Sequence, residues 1–115
     1  ATVTVLDYAS PAYTGLVYPA RKYYPTWLMD ESDPAIRAAV EAAGEALGRP
    51  PVVGKWTFST NGIATRGIHG VPTVGFGPGD EVYAHTPADQ CPVDHLTRAA
   101  HFYAVFPTRF AASRR

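Results

Sequence analysis

Segments with helical periodicity alternate with short apolar runs, and this alternation restricts the fold of the chain more than any other feature. Asp33 followed by Pro34 is typical of a helix start, and apolar residues then recur at helical spacing over about 14 positions. The charged residues of this helix are expected to face solvent: Arg37, Glu41 and Glu45. Runs 52–58 and 71–77 have the character of short buried strands.

Two further helices are predicted beside the second run. Residues 63–68 are expected to form a short helix that ends at Gly70, and a last helix is expected to start near Pro92. Its predicted apolar face consists of Val93, Leu96, Ala99, Ala100, Tyr103 and Phe106. His95 and His101 flank this face and are expected to be solvated. The order helix, strand, short helix, strand, helix predicts an α/β fold with a mostly parallel sheet.

The N-terminal quarter has a different character. Residues 2–8 alternate polar and apolar side chains, which predicts a half-buried strand. From residue 10 to residue 27, prolines and a glycine are too closely spaced for a regular element, and tyrosines lie between them. We interpret this segment as an extended connector whose aromatic side chains either pin it to the core or line a ligand site. Two or three core strands are too few to complete the predicted sheet, so we expect a piece of a longer protein.

The composition excludes several classes of protein. Of the 115 residues, 46% are hydrophobic and 17% are charged, which is typical of a chain that buries a core. Ten basic and ten acidic residues leave a net charge of +0, so no positive field favours nucleic-acid binding. Cys91 is the single cysteine and has no internal disulfide partner. No apolar run is long enough to cross a membrane, and we expect a soluble, cytoplasmic protein.

The candidate site lies in the two loops that follow the predicted strands, 59–62 and 77–86, because ligands of α/β sheets gather at the carboxyl ends of strands. His85 is the most informative residue, since small neighbours leave its imidazole accessible and imidazole is both a metal ligand and an acid or base near neutral pH. A surface or hydrogen-bonded role is the alternative for a single loop histidine. The chain has no His-x-Asp, Cys-x-x-Cys or Glu-Glu motif, so its own motifs cannot complete a metal site.

Several of these segments together resemble one family. Residues 55–62, 70–81 and 84–86 are similar to the C-terminal part of the zinc-dependent peptidases and deacylases, which include acetylornithine deacetylase, succinyl-diaminopimelate desuccinylase and aminoacylase. Residues 13–19 and 25–27 also resemble the connector of a branch of hydrolases linked to selenium metabolism. The resemblance covers nearly the whole chain, but only the last quarter to third of a usual family member.

The resemblance implies a layout for the chain. It implies the C-terminal portion of an αβα-layered, mostly parallel-sheet zinc-hydrolase catalytic domain. Residues 1–25 would hold the last strand of a lid domain and the interdomain connector, and residues 26–115 would belong to the catalytic domain. His85 would be a zinc ligand, and the substrate-binding residues would be Ser59, Thr60, Asn61 and Gly77. The general base is expected upstream, so no catalytic residue is predicted within this chain.

The implied activity belongs to a longer protein with two divalent metal ions, zinc or alternatively cobalt or manganese. We expect a metal-dependent amidohydrolase or peptidase that cleaves N-acyl amino acids or small peptides with a metal-activated water. Its partners would be that substrate, the remainder of its own chain and, in the full-length protein, a second copy in a homodimer. The alternative hypothesis is a stand-alone, non-catalytic α/β module that binds another chain through an exposed sheet edge and an apolar face.

Overall fold

The structure, a computed structural model, describes residues 1–114. Its strands and α-helices are β1 (Asp7–Tyr8), β2 (Ala20–Arg21), α1 (Pro34–Leu47) and α2 (Val93–Ser113). A π-helical turn at Ile63–Ile68 and a 3-10 turn at Glu81–Tyr83 lie between the two α-helices. The pairs of elements that pack together are α1 with α2 and β1 with β2.

Helix α1 has the boundaries that the sequence predicts, and local chemistry explains both ends. The Asp33 carboxylate accepts a hydrogen bond from the backbone N–H of Ala35 at 2.8 Å, which caps the N-terminus. Pro34 occupies the first turn, where its missing N–H costs nothing. Gly48 ends the helix in the left-handed conformation with φ of 67°, and its N–H bonds to the Gly44 carbonyl at 2.9 Å. The predictions of a short helix over 63–68 and of a last helix that starts near Pro92 are also confirmed.

The core lies between α1 and α2 and is built from small side chains. Its buried cluster consists of Ala39, Ala42, Ala43 and Phe102. The alanine face of α1 leaves room for one large ring, and Phe102, which is 2% exposed, fills that space. The predicted apolar face of α2 is partly wrong, because Val93 at the start of the helix is 78% exposed. The buried stripe instead passes through Ala99 and Phe102 towards Phe106, since the alanine face of α1 determines which side of α2 is covered.

The predicted parallel sheet is wrong. Within residues 1–114, neither 52–58 nor 71–77 belongs to a strand ladder, and the two-stranded sheet is the antiparallel pair of β1 with β2. Side chains hold the two runs instead. The indole of Trp56 lies over Gly75, where an added Cβ would be 2.7 Å from the ring. The fold is therefore mostly helical and is not a portion of an αβα-layered hydrolase domain, because apolar character alone does not supply the neighbouring backbone that a strand needs.

The N-terminal segment forms a short ribbon. Asp7 pairs with Arg21 and Tyr8 with Ala20, so the predicted strand over 2–8 is reduced to two residues and the connector contains a strand that was not predicted. Gly15, with φ of 81°, donates its N–H to the Ala12 carbonyl at the turn.

Two expectations about the whole chain stay predictions: its division into domains between residues 25 and 26, and its location in the cytoplasm. Neither α1 nor α2, the α-helices of the described part, has an apolar stretch long enough to span a bilayer.

Candidate functional site

Three of the predicted substrate-binding residues line one open concavity of about 400 Å³. Its walls are formed by Tyr24, Ser59, Thr60, Asn61 and Ile63. Hydroxyl and amide groups thus lie beside an aromatic ring and a methyl-rich side chain, a combination that suits a small polar ligand with an apolar part. Tyr24 is not among the predicted site residues. It does belong to the connector over residues 10–27, for whose aromatic side chains the lining of a ligand site was one of two predicted roles.

The turn that carries these polar groups packs against the ring of Trp27 at Gly62. Gly62 is buried, and an added Cβ would lie 2.2 Å from the ring of Trp27. The Thr60 hydroxyl accepts the N–H of Gly62 at 3.1 Å, and the Asn61 carbonyl accepts the N–H of Ala64 at 3.0 Å. Trp27 therefore sets the position of the turn and anchors the N-terminal segment, which is one of the two roles proposed for its aromatic residues.

His85 lies in a separate loop and has an unusual backbone. Among residues 1–114, it is the one non-glycine residue with positive φ, at 61°. Its side chain is exposed, and the imidazole meets the ring of Phe58 edge to face, with ring centroids 5.2 Å apart and planes 79° apart. The next residue, Thr86, donates its hydroxyl to the Tyr83 carbonyl at 2.8 Å, which fixes the loop on the 3-10 turn. The imidazole is thus presented at the surface beside Phe58.

Glu81, which is not among the predicted site residues, connects the loop of His85 to the backbone that precedes Ser59. Glu81 Oε1 accepts the backbone N–H groups of Thr57 and Phe58 at 2.7 Å and 3.2 Å. These two residues directly precede Ser59, and Glu81 lies four residues before His85. No sequence signal identifies this contact, because it links positions 23 and 24 residues apart through a single side chain.

Gly77, the fourth predicted substrate-binding residue, does not line the concavity with the other three. It lies beside Phe76, whose carbonyl accepts the hydroxyl of Tyr103 on α2. The next turn is also tied to α2, since the N–H of Gly79 donates to His95 Nδ1 at 3.3 Å. The prediction that His95 is simply solvated is therefore wrong: it is half-buried and hydrogen-bonded to the turn before the His85 loop.

Charged side chains also connect the two α-helices. Glu45 on α1 accepts from Arg109 of α2 at 2.9 Å and lies 3.3 Å from Nε2 of His101. The hydrogen bond from Arg109, followed by that from His101, lowers the pKa of the Glu45 carboxyl. Glu45 and His101 are exposed to solvent, as the sequence predicts, and their side chains also join the two helices.

The described residues do not contain a complete metal site. No three His, Cys, Asp or Glu side chains within residues 1–114 are grouped closely enough to hold a metal ion. A catalytic zinc needs about three protein ligands besides water, so the single imidazole of His85 is insufficient alone. Whether His85 contributes one ligand to a larger site stays a prediction.

The chain is similar to a longer bacterial protein. It is 44% identical over 113 residues to the uncharacterized protein YgeY of Escherichia coli K12, and equally so to that of Escherichia coli O157:H7. The match covers 98% of this chain and 28% of each relative, so the chain spans little more than a quarter of their length. No family model matches the chain. A search of solved structures likewise found no significant match.

Proposed function

We propose that this chain supplies one metal-binding imidazole and part of the substrate-binding surface of a metal-dependent amidohydrolase within a longer polypeptide. The observation that carries the proposal is the presentation of His85. A left-handed conformation at a non-glycine residue is uncommon and is found disproportionately at functional positions. Its imidazole is exposed and contacts Phe58 through ring packing, which leaves its nitrogens accessible to a metal ion.

The second supporting feature is the polar concavity at Ser59, Thr60 and Asn61. Their hydroxyl and amide groups both donate and accept hydrogen bonds, as recognition of an N-acyl amino acid or a short peptide requires. Tyr24 and Ile63 give the same concavity an apolar wall for an acyl or side-chain group. The remaining metal ligands and the general base would come from residues outside this chain, because the described residues hold no metal site of their own.

The relatives provide a direct test. A chimera in which this chain replaces the matching 113-residue segment of the Escherichia coli protein would restore a full-length context. We expect the purified chimera to contain zinc and to hydrolyse N-acetyl amino acids or dipeptides. His85→Ala should lower metal content and hydrolysis together, since removal of a ligand weakens the site rather than the core.

A matched control is His69→Ala, which removes another exposed imidazole at the end of the π-helical turn. It should leave both metal content and hydrolysis within about twofold of the unmodified chimera, as expected for a surface substitution away from the site. Unchanged metal content in His85→Ala, or equal losses in the two variants, would refute the proposal.

A second candidate function is a binding module, and one observation favours it. An apolar groove of about 300 Å³ runs between residues 71–74 and the C-terminal half of α2, where Phe106 and Phe110 contribute its wall. Exposed apolar surface of this kind is found where proteins associate. Analytical ultracentrifugation of the 115-residue chain distinguishes the candidates: stable self-association together with a chimera that binds no metal would favour the module.

A further inference from the structure

We infer that Glu81 is a positioning residue that holds the two halves of the candidate site together. Its carboxylate binds the backbone just before the Ser59–Asn61 turn, while its own turn leads directly into the loop of His85. The Ser59–Asn61 turn and the loop of His85 belong to one site only if the proposed function is correct, so this inference rests on the proposed function. Glu81 itself would touch neither metal nor substrate, so it is not a catalytic residue.

The first argument is the geometry of the contact. One carboxylate oxygen accepts two successive N–H groups, those of Thr57 and Phe58, at 2.7 Å and 3.2 Å. A charged acceptor makes shorter and stronger hydrogen bonds than a neutral one. Residues 52–58 belong to no strand ladder within the described residues, and the Glu81 carboxylate is the acceptor that satisfies these two N–H groups.

The second argument is that Glu81 is itself held in place. It is the first residue of the 3-10 turn, and Asp80 caps that turn by accepting the N–H of Val82 at 3.0 Å. At the other end of the turn, Tyr83 accepts both the hydroxyl and the N–H of Thr86. The Glu81 carboxylate therefore projects from a backbone that is fixed on either side, which is the condition for one side chain to position another segment.

The third argument is the path from Glu81 to the imidazole. Phe58, whose N–H is bound by Glu81, presents its ring to His85 at a centroid distance of 5.2 Å. Ser59 follows it directly and lines the concavity. If the Glu81 contact is lost, Phe58 is released, and the imidazole loses its edge-to-face neighbour while Ser59 is freed at the same time. Glu81 thus sets the distance between the imidazole and the hydroxyl groups of the turn.

Nuclear magnetic resonance of the metal-free 115-residue chain tests this inference without reference to activity. The carbon-bound imidazole protons of His85 experience the ring current of Phe58, and Phe58→Ala gives their chemical shifts without that ring. We expect Glu81→Ala to move these shifts more than halfway to the Phe58→Ala values. Glu81→Gln retains an acceptor oxygen, so the chemical shifts of His85 should stay closer to the wild-type values than to the Phe58→Ala values. Glu31→Ala removes an exposed carboxylate elsewhere and should leave them unchanged.

Resonances of Phe102 report whether the helix pair stays intact, and they should not move in any of these variants. The inference would be overturned if the His85 chemical shifts in Glu81→Ala equalled those of the wild-type protein. It would also be overturned if Glu81→Gln changed these chemical shifts as much as Glu81→Ala does. The two proposals fail separately. Unchanged metal content in the His85→Ala chimera refutes the proposed function, whereas the metal-free spectra decide the role of Glu81 whatever the chimera binds.

Discussion

The phenyl ring of Phe102 stacks on that of Phe76, with centroids 4.0 Å apart and planes inclined by 16°. Phe102 belongs to α2 and is 2% exposed, whereas Phe76 lies in the run 71–77 and is half-buried. Among residues 1–114, Phe102 is the one large buried apolar side chain, and the other buried core residues are alanines. The contact therefore attaches the run 71–77 to the helix pair and places Phe102 at the centre of the core.

Phe102→Ala should strongly destabilise the chain. Loss of a buried phenylalanine typically lowers the free energy of unfolding by about 3–5 kcal/mol, through lost burial and the cavity that remains. Urea unfolding followed by circular dichroism measures the change. Leu96→Ala is the control on the same helix, because Leu96 is 52% exposed and should change the stability by no more than about 0.5 kcal/mol. Equal effects of the two substitutions would show that Phe102 is not the centre of the core.

Gly62→Ala should displace Trp27. The backbone of Gly62 has φ of −56° and ψ of −23°, which any residue adopts, so the effect is steric alone. The new Cβ would lie 2.2 Å from the indole, and overpacking of this kind costs about 1–3 kcal/mol. Tryptophan fluorescence in a Trp56→Phe background reports the displacement. Gly54→Ala should leave the emission unchanged, since an added Cβ there meets nothing within 4 Å. Identical spectra for the two variants would contradict the packing of Trp27 on Gly62.

Asp33→Ala should weaken α1 from its N-terminus. The Asp33 carboxylate satisfies the N–H of Ala35, and loss of such a cap costs about 1 kcal/mol. Asp33→Asn keeps an acceptor oxygen and should recover most of that stability. The free energy of unfolding from urea titrations compares the three proteins. The capping role is refuted by an asparagine variant that is no more stable than the alanine variant.

The contribution of Glu45 to stability should depend on pH. Its hydrogen bonds with Arg109 and His101 hold its pKa below the ordinary value of 4.5. A pKa that is lowered on folding means that the stabilisation is complete above about pH 4.5 and is lost as the pH falls through the lowered value. The effect is small, because these charges are exposed to solvent.

Glu45→Gln should therefore lower the thermal midpoint at pH 7, and the difference from the wild-type protein should shrink as the pH falls below 4.5. Differential scanning calorimetry between pH 3 and pH 7, on the scale where ordinary carboxylates titrate, follows this difference. Glu31→Gln, in an exposed turn, is the control and should show no such change. A Glu45→Gln deficit that persists undiminished at pH 3 would mean that packing rather than charge is responsible.

The sequence alone was sufficient to predict α1 with both of its ends, the short helix over 63–68 and the start of α2. The Asp33 cap, Pro34 in the first turn and Gly48 beyond the last act within a few residues of one another, so they operate in any tertiary setting. The loop over 59–62 was also predicted from its polar residues, and in it the Thr60 hydroxyl accepts the N–H of Gly62. His85 was singled out by its small neighbours, although its metal-binding role remains a proposal.

Strand pairing, the buried face of α2 and the partners of several polar side chains were decided by contacts between residues far apart in the sequence. Whether 52–58 and 71–77 become strands depends on a neighbouring backbone, and in the described residues Glu81 and Gly75 meet the first run instead. Which face of α2 is buried depends on the alanine face of α1. The partners of His95 and Glu45 likewise come from other segments of the chain. Local composition fixes backbone preferences because those act over a few residues, whereas pairing and burial are properties of two surfaces and exist only once the chain has folded.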